Sequence, residues 1–201
     1  MDESASGSAN FWSGTVRLPA VVPEAPLEET EHGLVPKGAG WFVLNARDGI
    51  WRHAEGRPAV CWFEGDGEAG FKQLGINVSV LEPGHVMSLY HWEADQEDFL
   101  VLAGEAVLII EGEERRLRQW DFVHCPPEAK HTIVGAGDGC IVLAVGARDR
   151  SVGPGWGGYN VDDVAARHDA SVEEETTDPD KAYARFTRRQ PTRYRDDWLP
   201  D

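Results

Sequence analysis

The stretch that decides the fold and the site is Leu89-Tyr-His-Trp-Glu-Ala-Asp-Gln-Glu-Asp-Phe99. It contains three side chains with lone pairs to donate, namely His91, Glu93 and Glu97. Because an extended strand sends alternate side chains to the same face, His91 and Glu93 are predicted to point the same way. A turn at residues 94–96 would bring Glu97 back beside them. One imidazole and two carboxylates are therefore expected to converge at the end of a hairpin.

A second imidazole is expected from a later strand. His131 ends the run Asp121-Phe-Val-His-Cys-Pro-Pro-Glu-Ala-Lys-His131. Two histidines with two glutamates form a nitrogen and oxygen ligand set that suits divalent Fe, Mn, Ni or Zn. If Glu93 does not bind the metal, His91, His131 and Glu97 form a site of two histidines and one carboxylate. Glu93 is then placed to act as a general base. Both roles for Glu93, metal ligand and catalytic group, remain open.

The alternation before His91 predicts what surrounds these ligands. Met87 and Leu89 share the parity of His91, so the ligands are expected to continue an apolar row that faces the interior. Tyr90 and Trp92 have the opposite parity and are expected to face away. A carboxylate at the end of an apolar row needs a partner, because an unpaired buried charge is costly. A metal ion would be that partner.

At these residues the chain resembles the cupin superfamily. The first motif of the family runs Gly-x5-His-x-His-x3-or-4-Glu-x6-Gly, and the corresponding positions here are Gly84, His91, Glu93, Glu97 and Gly104. The second motif runs Gly-x5-Pro-x-Gly-x2-His-x3-Asn, and the corresponding positions here are Trp120, Pro126, Glu128, His131 and Gly135. The resemblance implies an all-β double-stranded β-helix, or jelly-roll barrel, with one divalent metal ion per chain in its lumen. Glu93 stands where the family usually has its second histidine.

Short β-branched and aromatic runs bounded by Gly, Asp or Asn independently predict an all-β barrel or sandwich. The first strand is predicted at Trp41–Leu44 and the strand that carries the ligands at Val86–Trp92. Gly104-Glu105 is interpreted as a hairpin turn, and Gly135–Gly139 as a loop between two strands.

Three regions are predicted along the chain. Residues 1–37 form an N-terminal arm that is partly disordered, residues 38–148 form the barrel, and residues 149–201 form an extension with short helices packed on the barrel. One helix is predicted from Val161 to His168 with Asn160 as its cap, and another after Asp178-Pro179.

Composition limits the partners and the compartment. The 201 residues carry a formal net charge of −16 from 35 acidic and 19 basic residues, so nucleic acid and anionic membranes are not expected as partners. The first eight residues lack the basic start and apolar core of a secretory signal, and no apolar stretch approaches the ~20 residues of a membrane helix. The three cysteines are widely spaced and form no disulfide framework, which predicts a cytoplasmic protein.

The leading hypothesis is a metal-dependent enzyme of the oxygenase, isomerase or epimerase type that acts on a small organic molecule. A non-catalytic small-ligand binding or sensor protein and a metal-free structural or storage barrel are the alternatives. Phosphorylated substrates are disfavoured, since the basic residues near the motifs lie on a polar hairpin or a turn. These residues are Arg115, Arg116, Arg118 and Lys130.

The two arms predict a homodimer, because apolar groups on irregular segments must be covered. The N-terminal arm offers Phe11, Trp12, Val16 and Leu18, and the C-terminal segment offers Tyr183, Phe186, Tyr194, Trp198 and Leu199. Folding of the same groups back onto their own barrel is the equally open alternative.

Overall fold

The computed structural model describes residues 21–149 and 155–200. The strands within these residues are β1 Leu27–Thr30, β2 Gly33–Pro36, β3 Trp51–Ala54, β4 Arg57–Trp62, β5 Leu74–Leu81, β6 His91–Glu93, β7 Glu97–Ile110, β8 Glu113–Arg118, β9 Phe122–Cys125, β10 His131–Ala147, β11 Gly157–Tyr159 and β12 Gln190–Thr192. The helices are α1 Asp163–Ala166 and α2 Pro179–Ala182, with a 3₁₀ turn at Gly67–Ala69. No helix in the described residues is long and apolar enough to cross a membrane.

The long strands β7 and β10 form the centre of the fold. They pair antiparallel along most of their length, and β10 continues on its other side through β5, β4, β3 and β12. Strands β8 and β9 pair with β7, while β6 and β11 extend the end of β10 that begins with His131. This antiparallel, all-β arrangement confirms the predicted jelly-roll class. Its main core cluster is drawn from β5, β7, β9 and β10.

Two predicted chain reversals are wrong, and both lie at glycines. Gly104 lies inside β7 with φ +76°, and the stretch 135–139 lies inside β10. A Cβ on Gly104 would lie 2.0 Å from the carbonyl oxygen of Gly139, and the register of the two strands shifts between Ala136 and Cys140. The glycines therefore allow two long strands to approach closely through a bulge, which raises the local twist without ending either strand.

One predicted strand is absent and another is shorter than expected. Trp41–Leu44 is not a strand: Trp41 makes a single bridge to Glu24, and Val43 is 79% exposed. Of the predicted strand Val86–Trp92, only the end is regular, since β6 begins at His91. Without a continuous partner strand, a local β-propensity is not enough to form a ladder.

The C-terminal helices are short, as predicted, but one cap differs. Asp162, not Asn160, caps α1, and its carboxylate accepts hydrogen bonds from the N–H groups of Val164 and Ala165. Asp178 caps α2 with Pro179 at the first position, which confirms that prediction.

The C-terminal segment packs against its own chain. Strand β12 pairs with β3, and the buried Trp198 ring lies 4.9 Å from the Trp51 ring. The apolar residues predicted for the N-terminal arm, Phe11, Trp12, Val16 and Leu18, lie outside the described residues. The homodimer and the boundaries after residues 37 and 148 remain predictions.

Candidate metal centre

Three strands bring the site together. His91 begins β6, Glu97 begins β7 and His131 begins β10, and the antiparallel register places His91 directly opposite His131. Their imidazole centroids are 5.0 Å apart. The Nε2 atoms of His91 and His131 lie 3.5 Å and 3.2 Å from Oε2 of Glu97. The strand register therefore converges two imidazoles on one carboxylate.

Backbone carbonyls fix the orientation of both imidazoles. Nδ1 of His91 lies 2.8 Å from the carbonyl oxygen of Leu89, and Nδ1 of His131 lies 2.9 Å from that of Ala129. Because a carbonyl only accepts, each Nδ1 carries a proton and donates it. In the neutral imidazole Nε2 then holds the free lone pair, which is the usual arrangement of a metal-ligating histidine.

The atoms that face the centre lack hydrogen-bond partners. Oε2 of Glu97 and Nε2 of His131 are buried and form no hydrogen bond among the described residues. The two atoms lie 3.2 Å apart, which is an ion-pair distance, but the geometry is not that of a hydrogen bond. One ligand atom from each of His91, Glu97 and His131 lies within 4.8 Å of the others. Since buried polar atoms normally find a partner, this set fits a bound cation.

The electrostatics of the cluster favour charge at its centre. Burial opposes protonation of His91, but the Glu93 and Glu97 carboxylates outweigh it and raise its pKa to about 10. Burial likewise opposes protonation of His131, while contacts with Cys125 and Glu97 raise its pKa to about 9. The pKa of Glu97 is held well below its usual range despite its burial, because both imidazoles favour its charged form. Without a metal, two protons neutralise the cluster; a divalent cation would replace them.

Glu93 lies at the edge of this cluster. Its Oε1 is 3.7 Å from Nε2 of His91, and its side chain is partly buried. The compact trio contains the other three predicted ligands, His91, Glu97 and His131, and leaves Glu93 out. Whether Glu93 binds the metal or transfers a proton stays a prediction.

A cavity of about 230 Å³ adjoins the cluster. Its lining combines polar groups with aromatic rings: Val60, Trp62, Asn77, Ser79, Met87, Ser88, His91, Glu93, Glu97, Phe99, Ala144, Trp156, Tyr159, Tyr183 and Arg189. The prediction that Met87 faces the interior is confirmed. Leu89 instead packs against Tyr159 and the C-terminal extension, because the chain before β6 is irregular and the strand alternation does not extend to it.

The extension after residue 149 supplies a wall of the cavity that the motifs do not reveal. Tyr159, Tyr183 and Arg189 line it, and Nε of Arg189 donates to the carbonyl oxygen of Pro58 at 3.0 Å. The guanidinium carbon of Arg57 lies 4.7 Å from the centre of the Tyr183 ring. The basic residue in this wall, Arg189, lies outside the motifs, and Arg115, Arg116, Arg118 and Lys130 do not line the cavity. The sequence predicted that this extension packs on the barrel, but it did not predict that the extension lines the cavity.

Parts of the chain are similar to a family model and to several solved structures. Residues 77–146 match the family model of the cupin domain. A putative sugar phosphate isomerase from Acidithiobacillus ferrooxidans is 25% identical over 48% of this chain and 66% of its own, just under two thirds, with a TM-score of 0.42. KdgF from Halomonas sp. is 20% identical over 50% of this chain and 89% of its own, with a TM-score of 0.43. The polyketide cyclase RemF from Streptomyces resistomycificus is 15% identical over 53% of this chain and 79% of its own, with a TM-score of 0.45. No curated protein sequence matches the chain.

Proposed function

We propose that this chain, a cupin through its domain at residues 77–146, binds one divalent metal ion with His91, Glu97 and His131. The observation that supports the proposal most is that two buried atoms at the centre of the cluster, Oε2 of Glu97 and Nε2 of His131, form no hydrogen bond among the described residues. Two imidazoles and one carboxylate suit Fe, Mn, Ni or Zn. Such an ion, when bound, would act as a Lewis acid or bind oxygen.

We further propose that the protein is an enzyme of the oxygenase, isomerase or epimerase type. The ligand cluster opens onto a cavity rather than being closed by a fourth side chain, and Glu93 lines that cavity beside His91. A carboxylate in this position would take a proton from a small molecule held in the cavity and return it at another atom. A non-catalytic binding or sensor protein would use the same cavity and would not need Glu93.

Location in the cytoplasm and assembly as a homodimer belong to the same proposal. The three cysteines are buried and free, which suits a reducing compartment. Because Trp198 is buried within its own chain, the N-terminal arm is the remaining candidate for the dimer contact. Light scattering separates a mass near 22 kDa from twice that value.

Elemental analysis of protein purified without an affinity tag or chelator, and then reconstituted, tests the metal site. His91→Ala and His131→Ala are each expected to lose the metal and keep the fold. His124→Ala is the matched control, because His124 pairs with Asp98 on the surface, outside the cluster. Wild-type protein without stoichiometric metal, or equal binding in the three variants, would overturn the proposal. Glu93→Gln should retain the metal, and if it is the proton-transfer group, turnover should be lost.

A further inference from the structure

One guanidinium at the cavity lacks a counter-ion. Arg189 lines the cavity, and its Nη2 is buried without a hydrogen-bond partner among the described residues. The hydrogen bond from Nε to Pro58 holds the side chain in place but leaves the Nη2 donor unused. A buried donor without a partner costs about 1–3 kcal/mol, and more when it is charged.

A second guanidinium reinforces the positive charge. Arg57 lies over the rings of Tyr183 and Phe186, at 4.7 Å and 5.2 Å, and no carboxylate in the described part of the chain forms an ion pair with Arg57 or Arg189. The next residue, Arg188, differs: it is exposed and pairs with Asp180 at 2.8 Å. In a chain of net charge −16, two neighbouring guanidiniums without carboxylates are an unusual local excess. They favour the entry of an anion at this side of the cavity.

We propose that Arg189 binds a carboxylate group of the substrate, so that the protein acts on a small carboxylic acid. A planar guanidinium with free N–H groups matches the two oxygens of a carboxylate, and such charge-assisted bonds are among the strongest in proteins. The assignment of this anion as the substrate rests on the proposed function; the anion site itself rests on Arg189 alone.

Arg189 shares the cavity of about 230 Å³ with His91 and Glu97 of the cluster. Arg189 and Glu93 line the same cavity, although Glu93 belongs to β6 and Arg189 to the C-terminal extension. An acid anchored at Arg189 would therefore place its remaining atoms beside Glu93 and the histidine cluster.

Calorimetric titration of malonate, with malonamide as its neutral counterpart, tests the anion site in protein stripped of metal and in zinc-loaded protein. Malonate is expected to bind metal-free wild-type protein and malonamide is not. Arg189→Met should weaken malonate binding by about tenfold to a hundredfold, the loss of one charge-assisted contact. Arg188→Met, which removes the same charge from the neighbouring exposed position, should change it by less than about twofold.

Equal malonate affinity in wild type and Arg189→Met would overturn the inference, even if the protein binds its metal. Tighter binding of inorganic phosphate than of malonate, with the same dependence on Arg189, would overturn the assignment to a carboxylate. If no metal binds but the affinity for malonate still depends on Arg189, the proposed function fails and the anion site stands. Should Arg189→Met not fold by circular dichroism, Arg189→Lys replaces it. The lysine keeps the charge but not the planar fork, and unchanged malonate affinity there would contradict the inference.

Discussion

Metal binding is predicted to release two protons at pH 7. In the metal-free cluster the carboxylates raise the pKa of His91 to about 10 and that of His131 to about 9, so both imidazoles are protonated at neutral pH. A metal binds the neutral imidazole through Nε2, the nitrogen not held by a backbone carbonyl, so each ligand must lose its proton first. Raised pKa values therefore mean that acid opposes binding and that affinity increases with pH.

The size of this pH dependence follows from the pKa values of His91 and His131. Between about pH 6.5 and pH 8, where both imidazoles are still protonated, two released protons imply that the apparent affinity rises by nearly a hundredfold per pH unit. Calorimetry of zinc binding in buffers of different ionisation enthalpy gives the number of released protons directly. The expected number at pH 7 is close to two. His124→Ala should release the same number, since its imidazole lies on the surface. A release of one proton or fewer from the wild-type protein would refute the reasoning.

Two further predictions concern the scaffold. Trp198→Ala should lower the free energy of unfolding, measured in urea, by about 3–5 kcal/mol, because Trp198 is only 7% exposed and packs against Trp51. The control Trp120→Ala should change it by less than about 0.5 kcal/mol, because Trp120 is 67% exposed. Glu64→Gln should cost about 1.5–3 kcal/mol at pH 7, because both carboxylate oxygens accept from Arg148. Because Arg148 lowers the pKa of Glu64, the extra stability of the wild type over Glu64→Gln is fully present above the pKa of a free glutamate. This difference in unfolding free energy should shrink when urea unfolding is repeated at pH values towards 4. A difference that grows on acidification would contradict the prediction.

The sequence motifs were sufficient to predict that His91, Glu97 and His131 lie together. Strand alternation and the turn after Glu93 brought His91 and Glu97 together, and the second motif added His131. These ligands lie at the starts of regular strands, where local sequence determines side-chain direction. Leu89 lies only two residues before His91, but outside the strand; it is buried as predicted, yet it packs against Tyr159 and does not line the cavity.

Glycine-rich stretches misled the prediction of chain reversals. Gly104-Glu105 has the composition of a hairpin turn, yet Gly104 uses its positive φ to bend β7 against Gly139 of β10. The same backbone conformation serves a turn and a bulge, and only the partner strand decides between them. The partner lies about 35 residues away in sequence, beyond the reach of a local pattern.

The wall of the cavity could not be predicted for a similar reason. Arg189 and Tyr183 come from the extension, about 80 residues after the first motif ends at Gly104. They reach the cavity through the pairing of β12 with β3 and the contact of Tyr183 with Leu89. Nothing near Arg189 in sequence marks it as part of the cavity wall, because it follows a second arginine, Arg188, of the same chemistry. The proposed contact of Arg189 with the substrate depends on this tertiary packing more than on the motifs.

Diffraction from zinc-loaded crystals at the zinc absorption edge tests the central claim most directly. A single anomalous peak is predicted within about 2.0–2.2 Å of Nε2 of His91, Nε2 of His131 and a carboxylate oxygen of Glu97. Glu93 would lie either within the same distance or across the cavity from the peak, which decides its role. The absence of a peak between the two imidazoles, or a peak confined to surface carboxylates, would contradict the account.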